Sequence, residues 1–559
     1  MTGTGVRTGT KQQGKLKGRE LDEMALGDVQ ALLGHTPRRR DLLIEFLHVL
    51  QDRFGCLHAH HIRALAHEMR LSEAEVFEVA SFYHHFDLVK DGAEAPPPVT
   101  VRVCDSVSCM LAGAETLIAA LEKGADPAAI RVLRAPCVGR CAEAPVAVVG
   151  QNALGHATAQ QVLAAARGGQ TMPALPPARS LDEYRDSGGY ELLGKVLDGT
   201  LSADRLITTL SDAGLRGLGG AGFPAGRKWS IVRAMPGGKL MSINADEGEP
   251  GTFKDRALLE ADPHRVLEGA LIAAHVVAAE RIYLYLRDEY AGVRQILIRE
   301  ITALAEAGLL STPIELRRGA GAYICGEESA MLESIEGRRG LPHHRPPYIA
   351  EHGLFGRPTL NHNVETLFWL REIIEKGAGW FAAQGMNGAK GLRSYSVSGR
   401  VKRPGVKVVP AGITLNRLIA DHCGGMAEGH TLAGYLPGGA SGGILPAHLA
   451  DEPLEFGALE KHGSFVGSHA VVVFSDKDDP RAIARNLMRF FAHESCGQCT
   501  PCRVGTDKIH ALMAAPVWDA PLMGEIEQVM RDASICGLGQ AAPNPMRAIL
   551  RFFSGGEAR

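Results

Sequence analysis

The sequence predicts a multidomain α/β protein, and three observations predict it. The chain has 559 residues, and a single core rarely grows beyond roughly 250–300. Strand-like alternation, as in VTVRVC (Val99 to Cys104), is interleaved with stretches whose apolar residues recur at helical spacing. Eight of the 11 cysteines fall into two spaced groups at opposite ends of the chain, and each group needs a folded module of its own.

Composition removes several classes. With 60 basic and 63 acidic residues the net charge is -3, so no global field draws the chain to nucleic acid or anionic lipid. The longest apolar run, GALIAAHVVAA (Gly269 to Ala279), is broken by His275 and falls short of the about 20 residues that span a bilayer. It reads as a buried core helix, so no direct membrane insertion is expected. Residues 1–28 are polar and basic, lack the apolar stretch of a secretory signal, and read as a disordered tail in a cytoplasmic protein.

Residues 29–95 read as helices. Leu43, Phe46, Leu47 and Leu50 share one helical face, and Ser72 with Glu75 forms a capping box. His58, His60, His61 and His67 crowd this segment and read as surface residues. After Pro96-Pro97-Pro98, residues 96–168 alternate strands with a helix as a small α/β domain. Linker composition follows over 169–199. A larger α/β region spans 200–388. Next, 389–477 opens with a strand–turn–strand–helix unit whose turn is Arg403-Pro404-Gly405. Residues 478–559 are helical, with Ile483, Leu487, Phe490 and Phe491 along one face.

The first cysteine group is Cys104-x4-Cys109 with Cys137-x3-Cys141. Two close pairs, each in a loop after a strand, suit the two irons of a [2Fe–2S] cluster; a structural zinc site is the competing reading. The second group is Cys496-x2-Cys499-x2-Cys502, with Cys536 following far downstream. That spacing wraps three corners of a [4Fe–4S] cube and closes it with a remote ligand. Two clusters in one polypeptide imply electron transfer. Cys325 lies in an apolar run without a nearby histidine and reads as a packed structural thiol.

Between the two groups, Gly217-x-Gly219-x-x-Gly222 matches a dinucleotide fingerprint, but the preceding LITTLSDAGLR reads as a helix where a strand is required. The loop can still cradle phosphate with its amides, aided by Arg216 and Lys228. The acidic loop NADEGEPGTFKD (Asn244 to Asp255) follows a strand, and NHNVET (Asn361 to Thr366) is a second amide-bearing loop. Such loops can hydrogen-bond a flavin edge and ribityl hydroxyls.

These stretches, together with GAGAYICGEESA and ESCGQCTPCRVG, closely resemble the NADH-binding flavin subunit of respiratory complex I and the related diaphorase subunits of NAD-reducing hydrogenases and molybdenum-dependent formate dehydrogenases. The likeness covers residues 200–555, while residues 35–170 resemble the neighbouring thioredoxin-like [2Fe–2S] subunit, which is joined here to its partner in one chain. The resemblance implies a Rossmann-like FMN and NAD domain, a ubiquitin-like (SLBB) domain and a helical [4Fe–4S] bundle. It implies FMN contacts from Gly217, Gly219, Gly220, Lys228, Asn244, Asp246, Glu247, Tyr285, Glu289, Asn363 and Thr366. It implies NADH beside Phe223, Glu249, Arg345 and Tyr348, above the flavin, with Glu249 and Phe223 as the catalytic residues. The chain departs from the complex I pattern at Leu218, Gly248, Asp288 and His362, and at Arg345 and Tyr348, which keep a charge and an aromatic face; neither Leu218 nor His362 is carried over as a flavin contact.

The expected reaction passes a hydride between NAD(H) and FMN and single electrons between FMN and the clusters, because only a flavin exchanges both. The fusion, NLMRFF and RPPY make the resemblance strongest to the formate dehydrogenase diaphorase. A separate molybdenum-containing catalytic subunit and small iron–sulfur subunits are then expected in a hetero-oligomer. The competing readings are a hydrogenase diaphorase, a complex I module and, from another class, a non-catalytic zinc-stabilised scaffold.

Overall fold

The structure, a computed structural model, describes residues 20–553. Residues 1–19 of the expected tail therefore lie outside the described residues. The remainder of that expectation is corrected, because a helix spans Glu23–Leu33. Asp22 caps it, its carboxylate accepting from the amides of Met24 and Ala25, and Ala25, Val29 and Leu33 recur at helical spacing on its buried face. Helices Leu43–Phe54, Ala59–Met69 and Glu73–Phe82 complete the segment, the last with its Ser72/Glu75 capping box formed.

Next comes a four-stranded sheet ordered Ile130–Ala135, Val99–Cys104, Ala147–Val149, Asn152–Leu154. Its first pair is parallel and the rest antiparallel, and the pairs of cysteines follow the ends of the two parallel strands. The expected linker is shorter than 169–199. Helices Leu181–Asp186 and Glu191–Leu197 occupy its second half. They bury Tyr184, Tyr190, Leu193 and Val196 in the core of the following domain, where the Tyr184 hydroxyl donates to Glu268 at 2.6 Å.

That domain is built on four parallel strands ordered Thr359–Asn363, Lys239–Ala245, Ala279–Leu286, Ile314–Arg318. The apolar run read from sequence lies largely in helix Pro263–Val277, which is buried nearly all round. No helix among the described residues is long and apolar enough to cross a membrane.

In the third domain, strands Leu392–Gly399 and Ala470–Ser475 pair in parallel at the centre of a five-stranded, otherwise antiparallel sheet. The expected turn at 403–405 joins Leu392–Gly399 to Gly405–Pro410. The chain ends in helices Pro480–Glu494, Thr500–Leu512, Ala520–Ala533, Gly537–Ala541 and Asn544–Phe552. One apolar cluster runs from Val29 and Leu47 through Tyr285 and Ile324 to Leu487, Ile509 and Met546. The N-terminal helices and the C-terminal bundle thus share a core with one face of the parallel sheet.

Candidate functional site: a cleft at the strand ends between two cysteine nests

The side chains singled out from the sequence gather where the parallel strands end, the usual ligand edge of such a sheet. Asn363 and Asn244 are register partners, as are Asn244 and Tyr285. The glycine-rich loop stands opposite, between helices Ala203–Ala213 and Ala225–Ala234, so the helix read in place of a strand is present. The loop is held by its own backbone and by the next layer. Gly217 N–H donates to the Phe223 carbonyl at 2.8 Å, and Leu218 N–H donates to Thr366 Oγ1 at 2.9 Å. Gly220 has φ +131, and a Cβ there would meet nothing nearer than 3.9 Å, which leaves its backbone open to a ligand.

Asn244 Nδ2 donates to the Gly326 carbonyl at 2.9 Å, and Asn244 Oδ1 accepts from Asp246 N–H at 3.0 Å. Asp246 Oδ2 is buried without a hydrogen-bond partner. Burial pushes this carboxyl up to about 8, Arg287 opposing. Lys228 Nζ donates to the Asn361 carbonyl at 3.2 Å, and burial holds the ammonium below its usual range. An orphaned acid, a partly desolvated cation and an open glycine backbone together fit a polar, phosphate-bearing ligand.

Below the cleft, Lys254 is buried against Asp255 (2.7 Å) and Glu365 (3.1 Å), and Asn363 Nδ2 donates to Asp255 at 2.6 Å. Other predicted residues are engaged elsewhere. The Glu247 carboxylate turns back to accept from the amides of Asp255 and Arg256 and from the Tyr290 hydroxyl. Tyr285 is buried with its hydroxyl on Ser334 Oγ at 3.0 Å, and Thr366 is buried beneath the glycine loop. These three side chains hold the loops in place. Leu218 points into the core, and His362 Nε2 accepts from Trp229 at 2.7 Å, so neither faces the cleft.

At the rim, Phe223 and Tyr348 are exposed aromatics. Arg345 pairs with Glu327 and with Glu328 at 3.1 Å. Glu249 is pressed against the third domain, accepting from Ser441 N–H at 2.7 Å. Sequence reasoning assigns nothing to Tyr323, Gly326, Glu327 and Glu328, although all four stand in GAGAYICGEESA. Gly326 faces the Asp246 carbonyl so closely that a Cβ would sit at 3.2 Å. Tyr323 bridges the acidic loop and the C-terminal bundle, its N–H donating to Glu494 at 2.9 Å.

Cys104, Cys109, Cys137 and Cys141 converge in a buried nest, with Cys137 Sγ and Cys141 Sγ 3.3 Å apart and Gly139 N–H donating to Cys137 Sγ. Cys499 caps helix Thr500–Leu512, Cys502 lies in its first turn, and Cys536 caps helix Gly537–Ala541. Burial and the neighbouring thiols push Cys502 up to about 12, and burial pushes Cys536 up to about 11 against the amides of Leu538 and Gly539. Two helix N-termini thus aim amides at one four-cysteine nest, an arrangement suited to an anionic cluster. A zinc ion with Zn–S near 2.3 Å would draw its sulfurs to about 3.8 Å of one another. Among the described residues, no three of these sulfurs lie within 4.8 Å of each other. Four buried or half-buried thiols in each nest, the second nest faced by two helix N-termini, fit a cluster core.

Comparison with known proteins agrees with this layout. Residues 210–372 match the Nuo51 FMN-binding domain, 29–168 the thioredoxin-like [2Fe-2S] ferredoxin, and 482–556 the NADH-ubiquinone oxidoreductase-F iron-sulfur binding region. The NADH-quinone oxidoreductase-F 2 protein of Rhizobium meliloti is 39% identical over 68% of this chain and 94% of its own length. The chain belongs to the NADH-quinone oxidoreductase-F family. The member of that family in Rhodobacter capsulatus is 40% identical over 63% of this chain and 86% of its own. A chain of an NAD+-reducing [NiFe]-hydrogenase superposes with TM-score 0.81 at 32% identity, covering 93% of this chain and 94% of that one. As a family member the chain has the domains for FMN, NAD(H), a [2Fe–2S] and a [4Fe–4S] cluster. The zinc-scaffold alternative is set aside by the matched domains.

Proposed function

We propose that this flavoprotein is the diaphorase subunit of a cytoplasmic multisubunit enzyme that reduces NAD+ with electrons from formate, oxidised at a molybdenum-containing partner subunit and relayed through small iron–sulfur subunits. The observation that carries the diaphorase reading is the cleft itself. An orphaned acid, a desolvated lysine and an open glycine loop lie on the same sheet edge, with a four-cysteine nest on either side. FMN bound there supplies the exchange between hydride and single electrons. In this reading Gly217, Gly219, Gly220, Lys228, Asn244, Asp246 and Asn363 hold it. Glu289 borders it, and Glu247, Tyr285 and Thr366 hold the loops around it. Phe223, Glu249, Arg345 and Tyr348 hold the dinucleotide, Phe223 and Tyr348 by their aromatic faces and Arg345 by its charge. No side-chain acid or base is required for the hydride step; these residues would orient the nicotinamide for transfer.

The formate assignment is supported by the fused N-terminal module and by the NLMRFF and RPPY segments. A hydrogenase diaphorase is the second reading, favoured by a likeness that covers 93% of the chain. Metal content and donor assays on the purified native assembly separate them. Molybdenum with formate-dependent NADH formation supports the first. Nickel with hydrogen-dependent NADH formation replaces it with the second, and neither metal points to a complex I module.

A further inference from the structure

Arg287 stands at the junction between the acidic flavin-side loop and the first cysteine nest. It follows strand Ala279–Leu286 directly and is 4% exposed. Its Nη1 donates to the Glu247 carbonyl, and its Nη2 donates to the Cys137 carbonyl at 2.7 Å. Nε and Nη2 hold Glu289 at 3.1 and 2.8 Å. One guanidinium therefore ties the flavin-side loop to the Cys137–Cys141 loop, which needs the planar fork of an arginine.

The packing around it is specific. Tyr290 lies 5.1 Å from the guanidinium, and its hydroxyl donates to Glu247. Gly139 has φ +71, and a Cβ on it would fall 2.2 Å from the Tyr290 hydroxyl, so only glycine lets the cysteine loop seat here. Arg256 Nε donates to the Gly139 carbonyl at 2.9 Å. At the opposite half of the nest Ser108 contacts Ser398 at 2.9 Å, and the Asp105 carbonyl accepts from Asn486 and Arg489.

We infer that Arg287 is a positioning residue that seats the Cys137–Cys141 loop on the flavin-side loop and raises the reduction potential of the [2Fe–2S] cluster. One-electron reduction adds one negative charge to the cluster, with no bond made or broken. The electron would come from the iron–sulfur relay in the proposed direction of flow, and by way of the flavin where NADH is the reductant. A buried cation beside the ligand loop stabilises that added charge more than it would in water. Removing it also leaves the Glu289 carboxylate unneutralised on the same side, which moves the potential in the same direction. The inference rests on Cys137 being a cluster ligand.

The test is an EPR-monitored redox titration of the reconstituted full chain as wild type, Arg287→Met and Arg287→Lys. In Arg287→Met the ratio of reduced to oxidised [2Fe–2S] cluster at the wild-type midpoint falls about tenfold, a negative shift of about 59 mV for one electron. Arg287→Lys keeps most of the potential, and the [4Fe–4S] midpoint stays in place in both. An unmoved [2Fe–2S] midpoint in Arg287→Met, or equal shifts of both clusters, overturns the inference. If Arg287→Met does not fold, Arg287→Lys decides by rapid-freeze EPR. Slower [2Fe–2S] reduction at a retained midpoint supports the seating role, and an unchanged rate overturns it. A [2Fe–2S] signal that survives intact in Cys137→Ser overturns the ligand assignment itself and the inference with it.

Discussion

Lys254 shows how much a single buried group supports. Burial works against its charge, but the carboxylates of Asp255, Glu365 and Glu247 outweigh that and hold the ammonium above its usual range. Lys254→Met removes the cation and leaves Asp255 and Glu365 facing each other without water. Breaking a buried pair in this way costs about 3–5 kcal/mol, and urea unfolding of the apoprotein should show a loss of that size. Asp246 gives a prediction with a sign. Its folded value of about 8 stands above the ordinary 3.8, so between these values the folded chain holds a proton that the unfolded chain has lost. The stability from this group is complete below about pH 4 and is lost as pH rises through about 8. In thermal melts of the apoprotein, Asp246→Asn should remove that part of the decline between about pH 4 and 8. Glu289 and Glu494 add to the upward shift and Arg287 opposes it, so they set its size.

At the scale of elements, the decisive unit is the loop before helix Thr500–Leu512. Cys499 stands at the N-cap position, and Pro501 and Cys502 lie in the first turn, so cluster binding and helix nucleation share residues. Cys499→Ser should abolish the EPR signal of the reduced [4Fe–4S] cluster while the [2Fe–2S] signal persists, because Cys104–Cys141 fold in a separate sheet. An unchanged [4Fe–4S] signal would remove Cys499 from the ligand set. The second informative element is the stretch 181–197. Its sequence follows a run of linker composition, yet Tyr184, Leu193 and Val196 are buried. The capping box of Ser180 and Glu183 is a readable sign of a helix, but the Pro-rich residues before it mask the boundary. Conversely, motif position alone picks out Glu247, Tyr285 and Thr366. Their side chains hold loops instead, since hydrogen bonds to Tyr290, Ser334 and Leu218 depend on elements distant in sequence.

At the scale of the whole molecule, the modules are not beads on a string. Arg317 binds Asp41 and Glu45, Arg318 binds Asp52, and the Tyr83 hydroxyl donates to the Arg338 carbonyl. With a shared apolar cluster beneath these contacts, helix Leu43–Phe54 and helix Glu328–Ile335 should lose hydrogen-exchange protection at the same denaturant concentration. Protection that disappears first in Leu43–Phe54 would show an independently folding segment.

The sequence by itself determined the two cluster types, the glycine loop, the acidic loop and the order of domains. Each depends on local spacing, and ligand chemistry and helix or strand period are written in consecutive residues. Only the tertiary structure decided which side chains face the cleft, that the N-terminal helices and the C-terminal bundle share a core, and that Arg287 joins the flavin-side loop to the Cys137 loop. Those facts arise from contacts between residues far apart in the chain, such as Arg287 with Cys137 at a separation of 150. Burial then shifts the titration of Asp246 upward and that of Lys228 downward, and burial is a property of the packed molecule that no short stretch of sequence contains.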